Sequence, residues 1–263
     1  MQSADFGRLD LACPARLGFA CTAAQGSRTS CGTAPPHAPF HVPSPEPGYA
    51  VRLQNLTFGG REFLVESLLD KQQFDDPDQL AEKMGVSPAH WSLFGNLWPS
   101  ACVLAERMAQ LDFRGRRVLE VGAGLGLASL VAQSRGADIT ASDIHPLCQR
   151  FLDGNAARNQ LPKIPFHRAD WAETESPLGK FSLIVASDVL YEGNHAGLLS
   201  GFIDRHAERA AEVLMVDPGR GNQNHFARAM IALGFSHTFE QLPAHETQAG
   251  RFAGKIHTFL RTA

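Results

Sequence analysis

The chain has 263 residues, of which 44% are apolar, and its formal net charge at pH 7 is −3. This length and composition provide one substantial α/β core with a small extension and argue against a second full domain. The low charge and the lack of basic runs interleaved with aromatic residues argue against nucleic acid as a partner, and no apolar stretch is long enough to cross a membrane.

Residues 1–48 differ from the rest of the chain because they are rich in Ala, Ser, Pro and Gly. This composition predicts a disordered tail. Asp5, Asp10 and Arg16 interrupt any apolar core of a secretory signal, so we do not expect secretion. Two alternatives stay open: an organelle transit peptide, or a translation start further downstream, so that part of this tail is never made.

Residues 49–97 are predicted to form an N-terminal extension to the main domain. Within it, residues 51–58 and 61–66 are predicted to form two strands. The Gly59 and Gly60 pair between them predicts a tight turn, and so a hairpin. A short helix should follow from Asp76, its N-cap, to about Gly85.

Residues 98–263 are predicted to form the main domain, in which strand and helix patterns alternate. Such alternation indicates parallel strands joined by right-handed crossovers. Strands are expected at 118–121, 138–141, 164–167, 181–186 and 213–216, and helices at 99–111, 127–134, 146–159, 195–209 and 223–233. No helix separates 235–241 from 254–260, which predicts an antiparallel hairpin at the sheet edge. The predicted fold class is α/β: a Rossmann-like, mostly parallel seven-stranded sheet with helices on both faces.

A glycine loop follows the first buried strand of this domain, with Gly122, Gly124 and Gly126 at alternate positions. The glycines let the backbone approach a ligand, and the next helix points unpaired N–H groups at it. The dinucleotide-binding fingerprint requires glycine at its sixth position, counted from Gly122, but Leu127 stands there. Together with the acidic Glu120, the spacing resembles motif I of the class I S-adenosylmethionine (SAM)-dependent methyltransferases.

Carboxylates follow the next strands, at the end of the sheet where ligands bind. Asp143 ends the second strand, where it would accept hydrogen bonds from both ribose hydroxyls; the alternative role is a cap for the next helix. In the methyltransferase resemblance, Asp170 meets the adenine amino group and Trp171 covers the ring. Ser187, at the end of the fourth strand, completes this part of the predicted cofactor set.

The sequence Asp188, Val189, Leu190, Tyr191 resembles the Asp-x-x-Tyr signature of the seven-strand lysine methyltransferase group, the methyltransferase 16-like proteins. That group also carries a Leu-Trp-Pro-Ser/Ala element before motif I, here residues 97–100. Residues 217–220, Asp-Pro-Gly-Arg, resemble a turn of one branch of this group. That branch includes the methyltransferases of the electron transfer flavoprotein β-subunit and proteins described as nicotinamide N-methyltransferase-like. The resemblance covers residues 94–221, half of the chain, and implies methylation of lysine or histidine in a protein.

The resemblance implies SAM as cofactor and S-adenosylhomocysteine as its product. We expect Asp188 to orient the acceptor amine or the methionyl part of SAM, and Tyr191 to stabilise an ammonium by cation–π attraction. Trp98 would close over the methionine end, and Glu120 would organise the glycine loop or bind the methionyl ammonium. The structural alternatives are that Trp98 and Tyr191 are core aromatics and that Asp188 only caps a segment. Asn155 and Asn159, four residues apart on one helix face, are given a structural role.

Competing functions stay open at this point. The first is a small-molecule N-methyltransferase, the second a nicotinamide-dependent oxidoreductase, and the third a SAM-binding interaction module without activity. Five cysteines without a CxxC pair and eleven histidines without ligand spacing predict reduced thiols, a cytoplasmic location and no metal site. The acceptor and the oligomeric state are not indicated by the sequence.

Overall fold

The computed structural model of the protein describes residues 41–43, 49–70, 83 and 93–263. Apart from Lys83, the predicted helix at 76–85 lies outside these residues, as does nearly all of the predicted tail. None of the helices in the described ranges has the length and apolar character needed to cross a membrane.

A small antiparallel sheet precedes the main domain. Its strands are β1 (His41–Pro43), β2 (Ala50–Phe58) and β3 (Arg61–Leu68), paired in that order. The predicted hairpin is thus confirmed, and Gly59 and Gly60 take positive φ angles in its turn. β1 lies within the segment expected as a tail; it pairs with β2 through backbone groups, which no apolar pattern in the sequence reveals.

A seven-stranded sheet forms the main domain, as predicted, in the order β6-β5-β4-β7-β8-β10-β9. The first five strands of this order run parallel, and β10 pairs antiparallel with both β8 and β9. The strands are β4 (Arg117–Val121), β5 (Asp138–Asp143), β6 (Phe166–Arg168), β7 (Phe181–Ser187), β8 (Ala207–Asp217), β9 (Ser236–Thr247) and β10 (Gly250–Arg261). The helices are α1 (Pro99–Met108), α2 (Leu127–Ser134), α3 (Cys148–Arg158), α4 (His195–His206) and α5 (Gln223–Ala232).

The last strands are longer than the sequence predicts. β8 begins directly after α4 at Ala207, which pairs with Phe181 of β7, although residues 208–210 are partly or fully exposed. β9 is exposed over most of its length, so it lacks the apolar alternation that marks a half-buried strand. Backbone pairing with β10 holds it at the sheet edge.

Alternate residues of the central strands enter two apolar clusters, one on each face of the sheet. In β7, Leu183 and Val185 pack with α1, α2 and α3, whereas Ile184 and Ala186 pack with α4 and α5. Helices therefore cover both faces, and the polar carboxyl ends of the strands are left to form a site.

Two carboxamides, Asn155 within α3 and Asn159 at its C-cap, fasten the N-terminal hairpin to the main domain. Asn159 accepts from the backbone N–H of Leu64 and donates to its carbonyl, both at 2.8 Å. Asn155 does the same with Glu66, at 2.7 and 3.2 Å, and also donates to the carbonyl of Leu125 in the glycine loop at 3.4 Å. The amides thus extend the hydrogen bonding of the edge strand β3, which agrees with the structural role predicted for Asn155.

Candidate active site

A cavity of about 360 Å³ opens at the carboxyl ends of β4, β5 and β7. This volume lies in the range of small-molecule pockets. Nine of the eleven predicted site residues line it: Trp98, Gly122, Gly124, Asp143, Asp170, Trp171, Ser187, Asp188 and Tyr191. The other two do not line it: Glu120 lies beneath the glycine loop, and Gly126, at the end of the loop, packs against Leu152.

The three glycines of the loop all take positive φ angles, but each faces different surroundings. A Cβ at Gly122 would lie 2.6 Å from Val189 Cγ1, and one at Gly126 would lie 2.2 Å from Leu152 Cδ1. A Cβ at Gly124 meets no atom within 4 Å and would point into open space on the cavity wall. Gly122 and Gly126 therefore allow close packing of the loop, while Gly124 leaves room for a ligand.

The carboxylates of Asp143 and Asp170 are held in place by backbone N–H groups. Asp143 accepts from Gly124 and from His145, both at 2.8 Å, and burial raises the pKa of its carboxyl. Asp170 accepts from the N–H of Ala172 at 2.9 Å. Both side chains line the cavity as fixed acceptors, the arrangement that hydroxyl and amino groups of a nucleoside require.

Glu120 is buried beneath the glycine loop. Its carboxylate accepts from the backbone N–H of Ser129 at 2.8 Å and from the Ser129 hydroxyl, in the first turn of α2. Burial raises its pKa to about 7, while the Ser129 hydrogen bonds act in the opposite direction. Of the two predicted roles, its location fits organisation of the loop and not contact with a ligand in the cavity.

Residues 93–98, here called the strap, form another wall of the cavity. The N–H of Leu68 at the end of β3 donates to the carbonyl of Gly95 at 2.8 Å, so the hairpin holds the strap. Phe94 stacks on His145 with ring centroids 4.0 Å apart and planes 3° from parallel. Burial lowers the pKa of His145 to about 3, so this imidazole is neutral at physiological pH. Neither ring was identified from the sequence.

An ion pair forms another part of the cavity lining. Asp188 takes a φ of 54° directly after β7, and its carboxylate accepts from Nε of Arg220 and, at 2.9 Å, from Nη2. The buried Asp217 accepts from the N–H groups of Gly219 and Arg220 at 2.7 and 3.0 Å, which fixes the turn that presents the guanidinium. The sequence identifies this Asp-Pro-Gly-Arg turn, but only the contact with Asp188 assigns Arg220 to the site.

Three aromatic rings lie beside this ion pair. The ring of His195 contacts Tyr191 and Trp171 edge to face, with centroids 4.8 and 5.2 Å apart. Nδ1 of His195 lies 2.8 Å from the carbonyl of Val189, which fixes the ring. Burial raises the pKa of the Tyr191 hydroxyl, so it stays protonated. The cavity thus combines carboxylates at one end with an aromatic wall that suits a cation.

Comparison with known proteins gives a family match over residues 86–231, more than half of the chain, to a family described as lysine methyltransferase. The protein N-lysine methyltransferase METTL21A of Danio rerio is 34% identical over 104 residues, which cover 36% of this chain and 47% of the relative. The electron transfer flavoprotein beta subunit lysine methyltransferase of Xenopus laevis is 30% identical over 135 residues, which cover 50% of this chain and 53% of that relative. The chain therefore spans about half the length of these two relatives.

A solved structure supports the fold. The T. thermophilus 16S rRNA N2 G1207 methyltransferase, solved with AdoMet and guanosine, superposes with a TM-score of 0.56 at 18% identity. The match covers 83% of this chain and 52% of that one. At this identity the likeness concerns the arrangement of helices and strands only.

Proposed function

The chain belongs to the lysine methyltransferase family and has the fold of the SAM-dependent methyltransferases, and we propose that it transfers a methyl group from SAM to a nitrogen atom in a protein side chain. The acceptor would be a lysine, or another amine or imidazole. The observation that supports this most is the meeting of Gly124, Asp143, Asp188 and Tyr191 in one cavity. These residues come from three strand ends, and a purely structural role does not require them to share a ligand-sized space.

The polar groups and the open space of the cavity fit SAM. Gly124 leaves open space at the loop, Asp143 presents a fixed carboxylate for ribose hydroxyls, and Asp170 presents one for the adenine amino group. Trp98, at the start of α1, would cover the methionine end. When bound, SAM supplies a methyl group on a positively charged sulfur, which is open to in-line attack.

The chain contributes alignment and exclusion of water, since no covalent intermediate is needed for this chemistry. An amine must be neutral to attack, and transfer from water into a partly apolar cavity lowers its pKa and favours that form. The rings of Tyr191 and Trp171 would then stabilise the cation that forms as the methyl group arrives. Asp188 would orient the neutral acceptor amine or the methionyl part of SAM.

The cofactor assignment is tested by calorimetric titration of the purified protein with SAM, S-adenosylhomocysteine and NADH. We expect binding of the first two only, and loss of that binding in Gly124→Arg. Binding of NADH alone would favour an oxidoreductase, and no binding of SAM would reject the proposed function.

The acceptor class is tested with tritiated SAM and a cell lysate. We expect the label in discrete protein bands, and mass spectrometry of those bands identifies the methylated residue. Gly124→Arg is the control for label that does not depend on the cavity. Label found only in small molecules would favour a small-molecule N-methyltransferase, and SAM binding without any label would favour a non-catalytic module.

A further inference from the structure

The carboxylate of Asp188 is already occupied by a cation of the chain itself. Arg220 donates to both of its oxygens, from Nε and Nη2, in the side-by-side geometry of a bidentate pair. The Asp188 side chain is only 11% exposed, whereas the Arg220 side chain is 43% exposed, so solvent reaches the pair from the arginine side. A positively charged acceptor would have to displace the guanidinium before it could pair with Asp188.

Arg220 retains capacity to bind a second anion. Its side chain is 43% exposed and lines the cavity, and Nη1 has no hydrogen-bond partner among the residues that the structure describes. The turn at Asp217 holds its backbone, so the guanidinium is presented at a fixed place. A guanidinium that is held in place and still has N–H groups without a hydrogen-bond partner is suited to binding a carboxylate.

Glu192 also lines the cavity and adds a negative charge to it. Its carboxylate lies 3.6 Å from Nε2 of His195, and the ring of His195 contacts the ring of Tyr191. The cavity lining therefore includes an anion in Glu192 and a cation in Arg220, together with the aromatic rings. This pattern matches a ligand that carries both an amine and a carboxylate.

We propose that Arg220 is a specificity-determining residue that selects protein acceptors in which a carboxylate stands beside the nitrogen to be methylated. Its guanidinium keeps free cations away from Asp188 and binds the neighbouring Asp or Glu of the acceptor. The inference rests on the proposed function, because it names the acceptor class of the same site.

The test compares wild type with Arg220→Gln, Arg220→Lys and the control Arg228→Gln, which removes an exposed arginine from α5 outside the cavity. The acceptor identified by lysate labelling is used in two forms, with its acidic neighbour intact or changed to the matching amide. On the intact acceptor we expect Arg220→Gln to raise KM about tenfold, the size of one charge-assisted hydrogen bond, with a smaller effect on kcat. Arg220→Lys should recover part of this loss, and Arg228→Gln should equal wild type.

The amide form of the acceptor shows whether Arg220 acts by binding the acidic neighbour. If Arg220 binds the acidic neighbour, Arg220→Gln loses nothing further on the amide form, because the partner is already gone. Equal losses on both forms, or methylated sites without an acidic neighbour, would overturn the inference while the proposed function stands. Loss of SAM affinity in Arg220→Gln would assign Arg220 to the cofactor instead. A wild type that binds SAM but labels no protein rejects the proposed function and this inference with it.

Discussion

The side-chain amide of Gln248 closes a pair of hydrogen bonds with the backbone of Thr57, 191 residues away. Its Oε1 accepts from the Thr57 N–H at 2.9 Å, and its Nε2 donates to the Thr57 carbonyl at 2.7 Å. Gln248 lies in the turn between β9 and β10, so the C-terminal hairpin holds β2 just as α3 holds β3. Side-chain amides thus fasten the N-terminal hairpin from both sides.

These fasteners should differ in their effect on stability. Asn159→Ala leaves a partly buried N–H and carbonyl of Leu64 without their partner, and we expect a loss of about 1–3 kcal/mol in the free energy of unfolding. Gln248→Ala removes exposed bonds that water replaces, so its loss should stay below about 1 kcal/mol. Urea denaturation measures both, and equal losses would contradict the role of burial.

Gly124 and Gly115 provide a matched pair of variants. Both take positive φ angles, 55° and 67°, and a Cβ at either position meets no atom within 4 Å. Valine at each should therefore cost similar stability, roughly 1–2 kcal/mol. Only Gly124 lines the cavity, so only Gly124→Val should lower SAM affinity, by about tenfold or more by occupying ligand space. Calorimetry and thermal melts separate the two effects.

Asp143→Asn should weaken SAM binding by about tenfold or more, because a neutral amide forms weaker hydrogen bonds with ribose hydroxyls than a carboxylate does. Asp138→Asn is the control, since Asp138 stands at the opposite end of β5, in an exposed ion pair with Arg117. Calorimetric titration of both variants with SAM provides the measurement. Undiminished binding in Asp143→Asn would remove Asp143 from the cofactor set.

Glu120 should make the fold more stable in mild acid than near neutrality. Its carboxyl has a pKa of about 7 in the fold against 4.5 as a reference, so the folded state binds the proton more tightly than the unfolded one. As the pH rises from about 4.5 to about 7, this group lowers the free energy of unfolding, by an amount on the order of 3 kcal/mol. Glu120→Gln has no such titration, so the difference between wild type and variant in urea melts should change over this range. A constant difference would show that Glu120 is ionised throughout.

Tyr191 should act through its ring and not through its hydroxyl. Since burial keeps the hydroxyl protonated, Tyr191→Phe retains the aromatic face and should keep most of kcat. Tyr191→Ala removes the face beside His195, and we expect kcat to fall about tenfold or more. Rates on the acceptor found by lysate labelling decide this; a large loss in Tyr191→Phe would point to proton transfer by the hydroxyl.

The sequence predicts those parts of the fold and cavity that depend on local patterns. The run from Val118 to Val121 is apolar apart from Glu120 and leads into the glycines, so both the strand and the loop can be recognised. Asp143, Asp170 and Asp188 follow separate strands, and the rule that parallel strands share one carboxyl edge brings them together. Glu120 follows the same local pattern, but only the structure reveals that it points to Ser129 behind the loop.

The remaining features depend on contacts between segments that have no common pattern. Arg220 reaches Asp188 across 32 residues, and Phe94 reaches His145 through the path of the strap. Such contacts follow from loop conformation, which neither apolar periodicity nor turn residues specify. β9 escapes prediction for a related reason, because its strand character comes from its partner β10 and not from its own exposed side chains.

The bond between Leu68 and Gly95 has a practical consequence for work on this protein. The family match begins at residue 86, after the hairpin has ended, yet the strap that forms one cavity wall is held by a hairpin residue. A shortened protein that starts at the matched region would keep every residue of the glycine loop and lose the support of the strap. Expression boundaries should therefore be set at or before Tyr49, and family boundaries alone are a poor guide to where this domain can be cut.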